Sequence, residues 1–216
     1  MHPNATAFPI DAGVGGTTTD ARMWLDAQSE TVRRVTRVDP SGRLVQEPVV
    51  EDGAWVDPTA RLIGGMIIGA GCYVGPYAVI RLDEKPSPEP LIIGRGSNVQ
   101  DGAVIHSTTQ RIGSRVIVAH QAIVHGAIVE DDVTIYIQAV VDGGGTVIGR
   151  GAFLHQGSYV GKGVHVPPGR YVEPGRKVLT QAEADALGPV PGALLHVREH
   201  VLESNDAHVR RYLSLR

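Results

Sequence analysis

The stretches IGRGSNVQDGAVI (residues 93–105) and IGSRVIVAHQAIV (residues 112–124) place an aliphatic residue at every sixth position: Ile93, Val99 and Ile105, then Ile112, Val118 and Val124. The same frame runs back through Ile80, Val74, Ile68, Leu62 and Val56. It runs forward through Val129, Ile135, Val141, Ile148, Leu154, Val160, Val166, Val172 and Val178. The second position of each hexad is often Gly, and the fifth is small or β-branched, as at Ala78, Ser97, Ala103, Val116 and Ala122. Sustained six-residue periodicity is the signature of a parallel β-helix whose sides are short strands. The anchor and the fifth residue point inward, and Gly tolerates corner geometry that a Cβ penalises. Three sides make a coil of roughly 18 residues, stacked at the ~4.8 Å spacing of paired strands. The expected fold is all-β: a parallel β-helix of about seven triangular coils over residues 55–179, with a C-terminal α-helix.

Composition agrees. The 216 residues include 27 glycines but only 5% aromatics, which suits thin, repeated layers of Val, Ile and Ala. The formal net charge of −3 leaves no basic footprint for nucleic acid. No apolar run is long enough to span a membrane, and the N-terminus lacks the pattern of a secretory signal. The single cysteine, Cys72, occupies a fifth position and reads as packing; it has no internal disulfide partner. The expectation is a cytoplasmic protein with neither nucleic-acid nor membrane partners.

The ends differ from the repeat. Residues 1–54 form an N-terminal extension, Gly/Thr-rich and loose over 1–30 apart from Met23-Trp24-Leu25. TVRRVTRVDPSGRLVQEPVV (31–50) reads as a hairpin with its turn at Asp39 to Gly42, placed to cover the open first coil. In the C-terminal segment 180–216, Thr180 and Glu183 make a capping-box pattern. GPVPG (188–192) ends that short helix, and a second over 193–214 runs back along the coils.

The frame also arranges the chemistry. His106 and His125 are second residues of hexads one circuit apart, so they stack on one corner. His120 is the third residue of the preceding side and projects away. It joins the other two only across the interface of a threefold oligomer. Asp101 lies one coil below His120. Arg81, Gln100, Ala119, Tyr136 and His155 are read as second residues of one recurring side. RLDEKPSPEP (81–90) interrupts the frame and carries Asp83 and Glu84. Three imidazoles suit Zn²⁺, Co²⁺ or Fe²⁺, and three protein ligands leave a position open for catalysis. His155 is read as a corner residue that fits either a pocket or the surface. His2, His165, His196, His200 and His208 are read as surface residues.

At these positions the chain resembles the gamma-class carbonic anhydrases. IRLDE (80–84), IGRGSNVQDGAVIH (93–106) and IGSRVIVAHQAIVHG (112–126) occur in order and in register, and the likeness extends through YVEPGRKVLTQAEADALGPV (171–190). The resemblance implies a left-handed coil and a homotrimer, with His106, His120 and His125 holding Zn²⁺ (Fe²⁺ or Co²⁺ as alternatives). It implies reversible hydration of carbon dioxide to bicarbonate by metal-bound hydroxide. Gln100 would orient that hydroxide, Arg81 and Asp101 would pair across the interface with support from Asp83, and Glu84 would carry protons or position substrate. Several features depart from the family pattern. Only STTQR (107–111) separates His106 from Ile112, so the acidic loop of some members is absent. Tyr136 stands where the family has Gly and is expected to reshape the pocket. VDGGGTVI (141–148) takes an extra residue and implies a bulge. Tyr212 falls about where relatives place a pocket Asn. Three other readings remain open on the same residues: a thioesterase, hydrolase or lyase on the three-His site, a metal-free hexapeptide acyltransferase with a histidine base, and a non-catalytic assembly subunit.

Overall fold

The computed structural model describes residues 36–38, 44–82, 90–106 and 111–215. Asp83, Glu84, residues 1–30 and the hairpin turn at Asp39 to Gly42 lie outside them. The flanking strands Thr36–Val38 and Leu44–Gln46 pair antiparallel, with Val38 opposite Leu44.

Three parallel sheets of seven strands each form the faces of a solenoid. The first face begins at Val49–Val50, which pairs with Met66–Ile68, so the coils start slightly before the hexad frame does. The second face carries Trp55–Val56, Tyr73–Val74, Asn98–Val99, Ile117–Val118, Thr134–Ile135, Phe153–Leu154 and Tyr171–Val172. The third carries Arg61–Gly64, Val79–Leu82, Val104–His106, Ile123–His125, Val140–Val141, Tyr159–Val160 and Lys177–Val178.

The anchors are the core. From Ile68 to Val178 every one is at most 1% exposed, and Ala78, Ala103, Val116, Ala122 and Ala139 fill the space between them at 0%. Each buried Val or Ile contributes about 1.5–3 kcal/mol relative to exposure. Cys72 belongs to this layer; its Sγ lies 3.0 Å from the Gly94 carbonyl oxygen, and burial pushes its thiol up to about 12.

The second-position glycines serve close approach rather than a left-handed backbone. A Cβ on Gly94 would lie 2.5 Å from the carbonyl carbon of Gly113 on the next coil. These glycines (Gly69, Gly94, Gly113, Gly149) cluster at the corner between the first and second faces. The left-handed conformation falls on the fourth position, for example Gly102 at φ 67°. Side chains at the second position therefore project mainly from the other two corners, and those corners carry the chemistry.

The C-terminal helices form as the sequence implies. In α1 (Gln181–Asp185) the Thr180 hydroxyl accepts from the Glu183 N–H, and the Glu183 carboxylate accepts in return from the Thr180 N–H. The longer α2 (Gly192–Leu213) lies along the second face. It buries Leu202 against Ile117 and Ala119. Arg115 ties it to the coils by pairing with Asp132 at 2.8 Å and with both carboxylate oxygens of Glu199 at 2.9 and 2.8 Å. No helix among the described residues is long and apolar enough to cross a membrane.

Candidate active site

His106 and His125 pair in parallel register on neighbouring coils of the third face. Their rings stack with centroids 5.4 Å apart and planes at 14°. Anchors Ile105 and Val124, both fully buried, hold the two backbones in place. The expected corner stack is present. Arg81, in contrast, does not share the column of Gln100. It pairs in register with His106, one coil below it. Ile80 and Arg81 lie on the third face, and the next described strand, Leu91–Ile93, lies on the first.

The column continues to Asp142, which sequence reading did not single out. His125 Nδ1 lies 3.3 Å from Asp142 Oδ1, and the Tyr159 hydroxyl donates to Asp142 Oδ2 at 2.9 Å. The Gly143 N–H donates to Asp142 Oδ1 at 2.8 Å. The Gly143 N–H, the Tyr159 hydroxyl and His125 together hold the Asp142 carboxyl below the usual carboxylate range. The available signal was positional: Asp142 is the next second-position residue after His125 on that side.

His120 sits on the other corner, between the second and third faces. Its Nδ1 is 3.8 Å from Asp101 Oδ2 on the coil below, as the frame implies. Both side chains are about half exposed, whereas Gln100 is only 7% exposed. Gln100, Asp101, His120 and Tyr136 line one wall of a cleft of about 440 Å³. Helix α2 supplies the opposite wall, including His200, Asn205, His208 and Tyr212. His200 and His208 are surface-exposed as expected, but they face this cleft, a role that the sequence could not reveal before α2 was docked. Tyr212 does reach the pocket, 5.1 Å by ring centroids from Trp55 and 6.4 Å from Tyr73. Burial pushes the Tyr73 hydroxyl up to about 12, with Asp101 adding to the effect.

Tyr136 both lines the cleft and starts an aromatic ladder, 5.7 Å from Phe153 and 5.4 Å edge-on to His155. His155 packs further against Tyr171, and this burial lowers its pKa. The Gln156 N–H donates to His155 Nδ1 at 2.8 Å.

Among the described residues, no group of three or more His, Cys, Asp or Glu within one chain could hold a metal ion. The pair on the third face nonetheless has suitable donor chemistry. Two imidazoles share a column, and the Nδ1 of His125 lies beside a carboxylate oxygen of Asp142. His120 belongs to a separate corner of the same chain.

A family model described as bacterial transferase hexapeptide (six repeats) matches residues 47–81. No curated protein matches the chain. Among solved structures, it is similar to a hexapeptide transferase family protein from Anaplasma phagocytophilum, at 23% identity over 76% of this chain and 92% of that one, TM-score 0.64. It is similar to a putative acetyltransferase from Bacillus cereus, at 24% identity over 79% and 94%, TM-score 0.64. A putative acetyltransferase from Desulfovibrio desulfuricans G20 aligns at 17% identity over 90% of this chain and 45% of that one, TM-score 0.58. These likenesses agree on the class of architecture, a hexapeptide-repeat parallel β-solenoid.

Proposed function

We propose that the chain is a metal-dependent carbonic anhydrase assembled as a homotrimer, with each active site divided between two subunits. The observation that carries this reading is the parallel register that stacks His106 on His125 while leaving His120, Gln100 and Asp101 on the adjacent corner. A neighbouring copy related by threefold symmetry would bring its His120 to the first pair. An apolar column runs beside the His pair on the third face: Val79, Val104 and Val140 are half-buried and Ile123 is 38% exposed. Such a column is suited to cover by a second copy.

Zn²⁺, with Co²⁺ or Fe²⁺ as alternatives, would supply a Lewis acid that makes water nucleophilic near neutral pH. The chain's residues do the rest. The largely buried Gln100 amide orients the reacting oxygen, and Asp101 holds the His120 ring. Tyr136 narrows the entrance against the carbon dioxide and bicarbonate that pass through it. On this reading Arg81 would pair with Asp101 across the interface with support from Asp83, and Glu84 would carry protons or position substrate, the acidic loop being absent. The coil is left-handed and the protein cytoplasmic on this reading.

The test is stopped-flow carbon dioxide hydration by protein stripped and reloaded with each ion, Fe²⁺ anaerobically. His106→Ala and His120→Ala should each be inactive, whereas co-assembled trimers of the two recover part of the activity through interfaces where both intact residues meet. No hydration with any ion refutes the reading. A second reading, acyl transfer without metal, is favoured by the hexapeptide-transferase match over residues 47–81. His120 in the 440 Å³ cleft would then be the base. Thiol release from acetyl coenzyme A by the stripped protein, dependent on an added amine or hydroxyl acceptor that takes up the acetyl group, distinguishes the two.

A further inference from the structure

The geometry points to Asp142 and Tyr159 as positioning residues for His125: the carboxylate accepts the His125 Nδ1–H and leaves Nε2 to bind the metal. The inference rests on the metal-site reading above and deepens it. A carboxylate on the distal nitrogen of a ligating histidine fixes both the ring's orientation and its tautomer, and makes the ligand more basic.

The arrangement comes from the coil. Val141 is a fully buried anchor paired in register with Val124. The residue after each therefore stacks, Asp142 over His125. The extra residue of the 142–147 segment is accommodated by glycine. A Cβ on Gly143 would lie 2.3 Å from the His125 carbonyl oxygen, so only a bare backbone passes this close. That passage aims the Gly143 N–H at Asp142 Oδ1, 2.8 Å away. On the next coil, Tyr159 pairs in register with Val140 and donates its hydroxyl to Oδ2 at 2.9 Å. Both carboxylate oxygens are thus fixed from one side, and the 3.3 Å contact to His125 Nδ1 is aimed rather than incidental.

Two measurements test this on the full-length protein. Long-range ¹H–¹⁵N correlation on the metal-free, histidine-labelled chain should show His125 as the Nδ1–H tautomer, changing in Asp142→Ala to the Nε2–H form. Competition with a chelator should show Zn²⁺ bound about 10–100-fold more weakly by Asp142→Ala. Tyr159→Phe, which removes one hydroxyl from a part-exposed residue, should weaken binding by a smaller factor, and Asp142→Asn should fall between. A wild-type His125 in the Nε2–H form, or unchanged Zn²⁺ affinity in Asp142→Ala, overturns the inference. If the wild type binds no Zn²⁺ but still shows the Asp142-dependent tautomer, the metal reading fails while the positioning contact stands.

Discussion

Replacing Ile105 by Ala tests the inward alternation on which the site depends. Ile105 is fully buried between Ile80 and Val124, and it immediately precedes His106. The change removes three carbons, worth about 2.5 kcal/mol at ~0.8 kcal/mol per buried methylene. The coils above and below are locked by ladder hydrogen bonds and cannot collapse into the space. The cavity contribution is therefore retained, and the total should reach about 3–4 kcal/mol. Ile123→Ala is the control: it removes the same atoms one position before an anchor, from a side chain 38% exposed. Its cost should stay below about 1.5 kcal/mol, because no sealed cavity forms. Urea unfolding followed by far-UV circular dichroism, with the slope unchanged, reads both values. Repeating it at two protein concentrations adds a second comparison. The cost of Ile123→Ala should depend on concentration if a second copy covers that face, while the Ile105→Ala difference persists. A cost for Ile105→Ala equal to or below that of Ile123→Ala would refute the inward assignment of the anchors.

Five further substitutions have outcomes set by the geometry. Burial depresses the His155 pKa below its ordinary value of 6.5, so the neutral ring is favoured in the folded state. The associated stability is present above pH 6.5 and is lost as pH falls through the lowered value; His155→Phe should flatten that acid-side loss in urea titrations. Gly94→Ala drives a Cβ into Gly113 backbone at 2.5 Å and should cost about 1–3 kcal/mol or more. Gly157→Ala, at φ 63° with no neighbour within 4 Å, should cost only the backbone strain of about 1–2 kcal/mol. Thr180→Ala removes one half of the capping box and should cost about 1 kcal/mol, read as faster hydrogen exchange at the Glu183 amide. Tyr136→Gly should widen the cleft and change kcat/KM for hydration; identical kinetic constants would remove Tyr136 from the site.

Much of this was legible in the chain because a six-residue period is a local property. Each anchor declares itself by its neighbours at fixed spacing, and the stack of His106 on His125 follows by counting. The count fails at Arg81: the interval from Ile80 to Ile93 has nearly the length of two hexads, yet Ile80 lies on the third face and Ile93 on the first, a single step apart. Spacing alone does not say how many faces an interval crosses when the intervening residues carry no anchor. Asp142 was countable but was hidden by the glycines beside it, whose role as a close-approach backbone emerges only when the coils are stacked.

The sequence by itself determined the coil, its buried anchors and the neighbourhood of His106, His125, His120, Asp101 and Gln100, because repeat spacing converts directly into position on a solenoid. Only the tertiary structure decided what faces Gln100 and His120. The cleft exists because α2 lies against the second face, held by Arg115 and Glu199, 84 residues apart in sequence, and by Tyr212 packing on Tyr73 and Trp55. Those contacts follow no period. They arise when a helix docks where charge and aromatic surface match, and that match is a property of two folded surfaces rather than of any local stretch of chain.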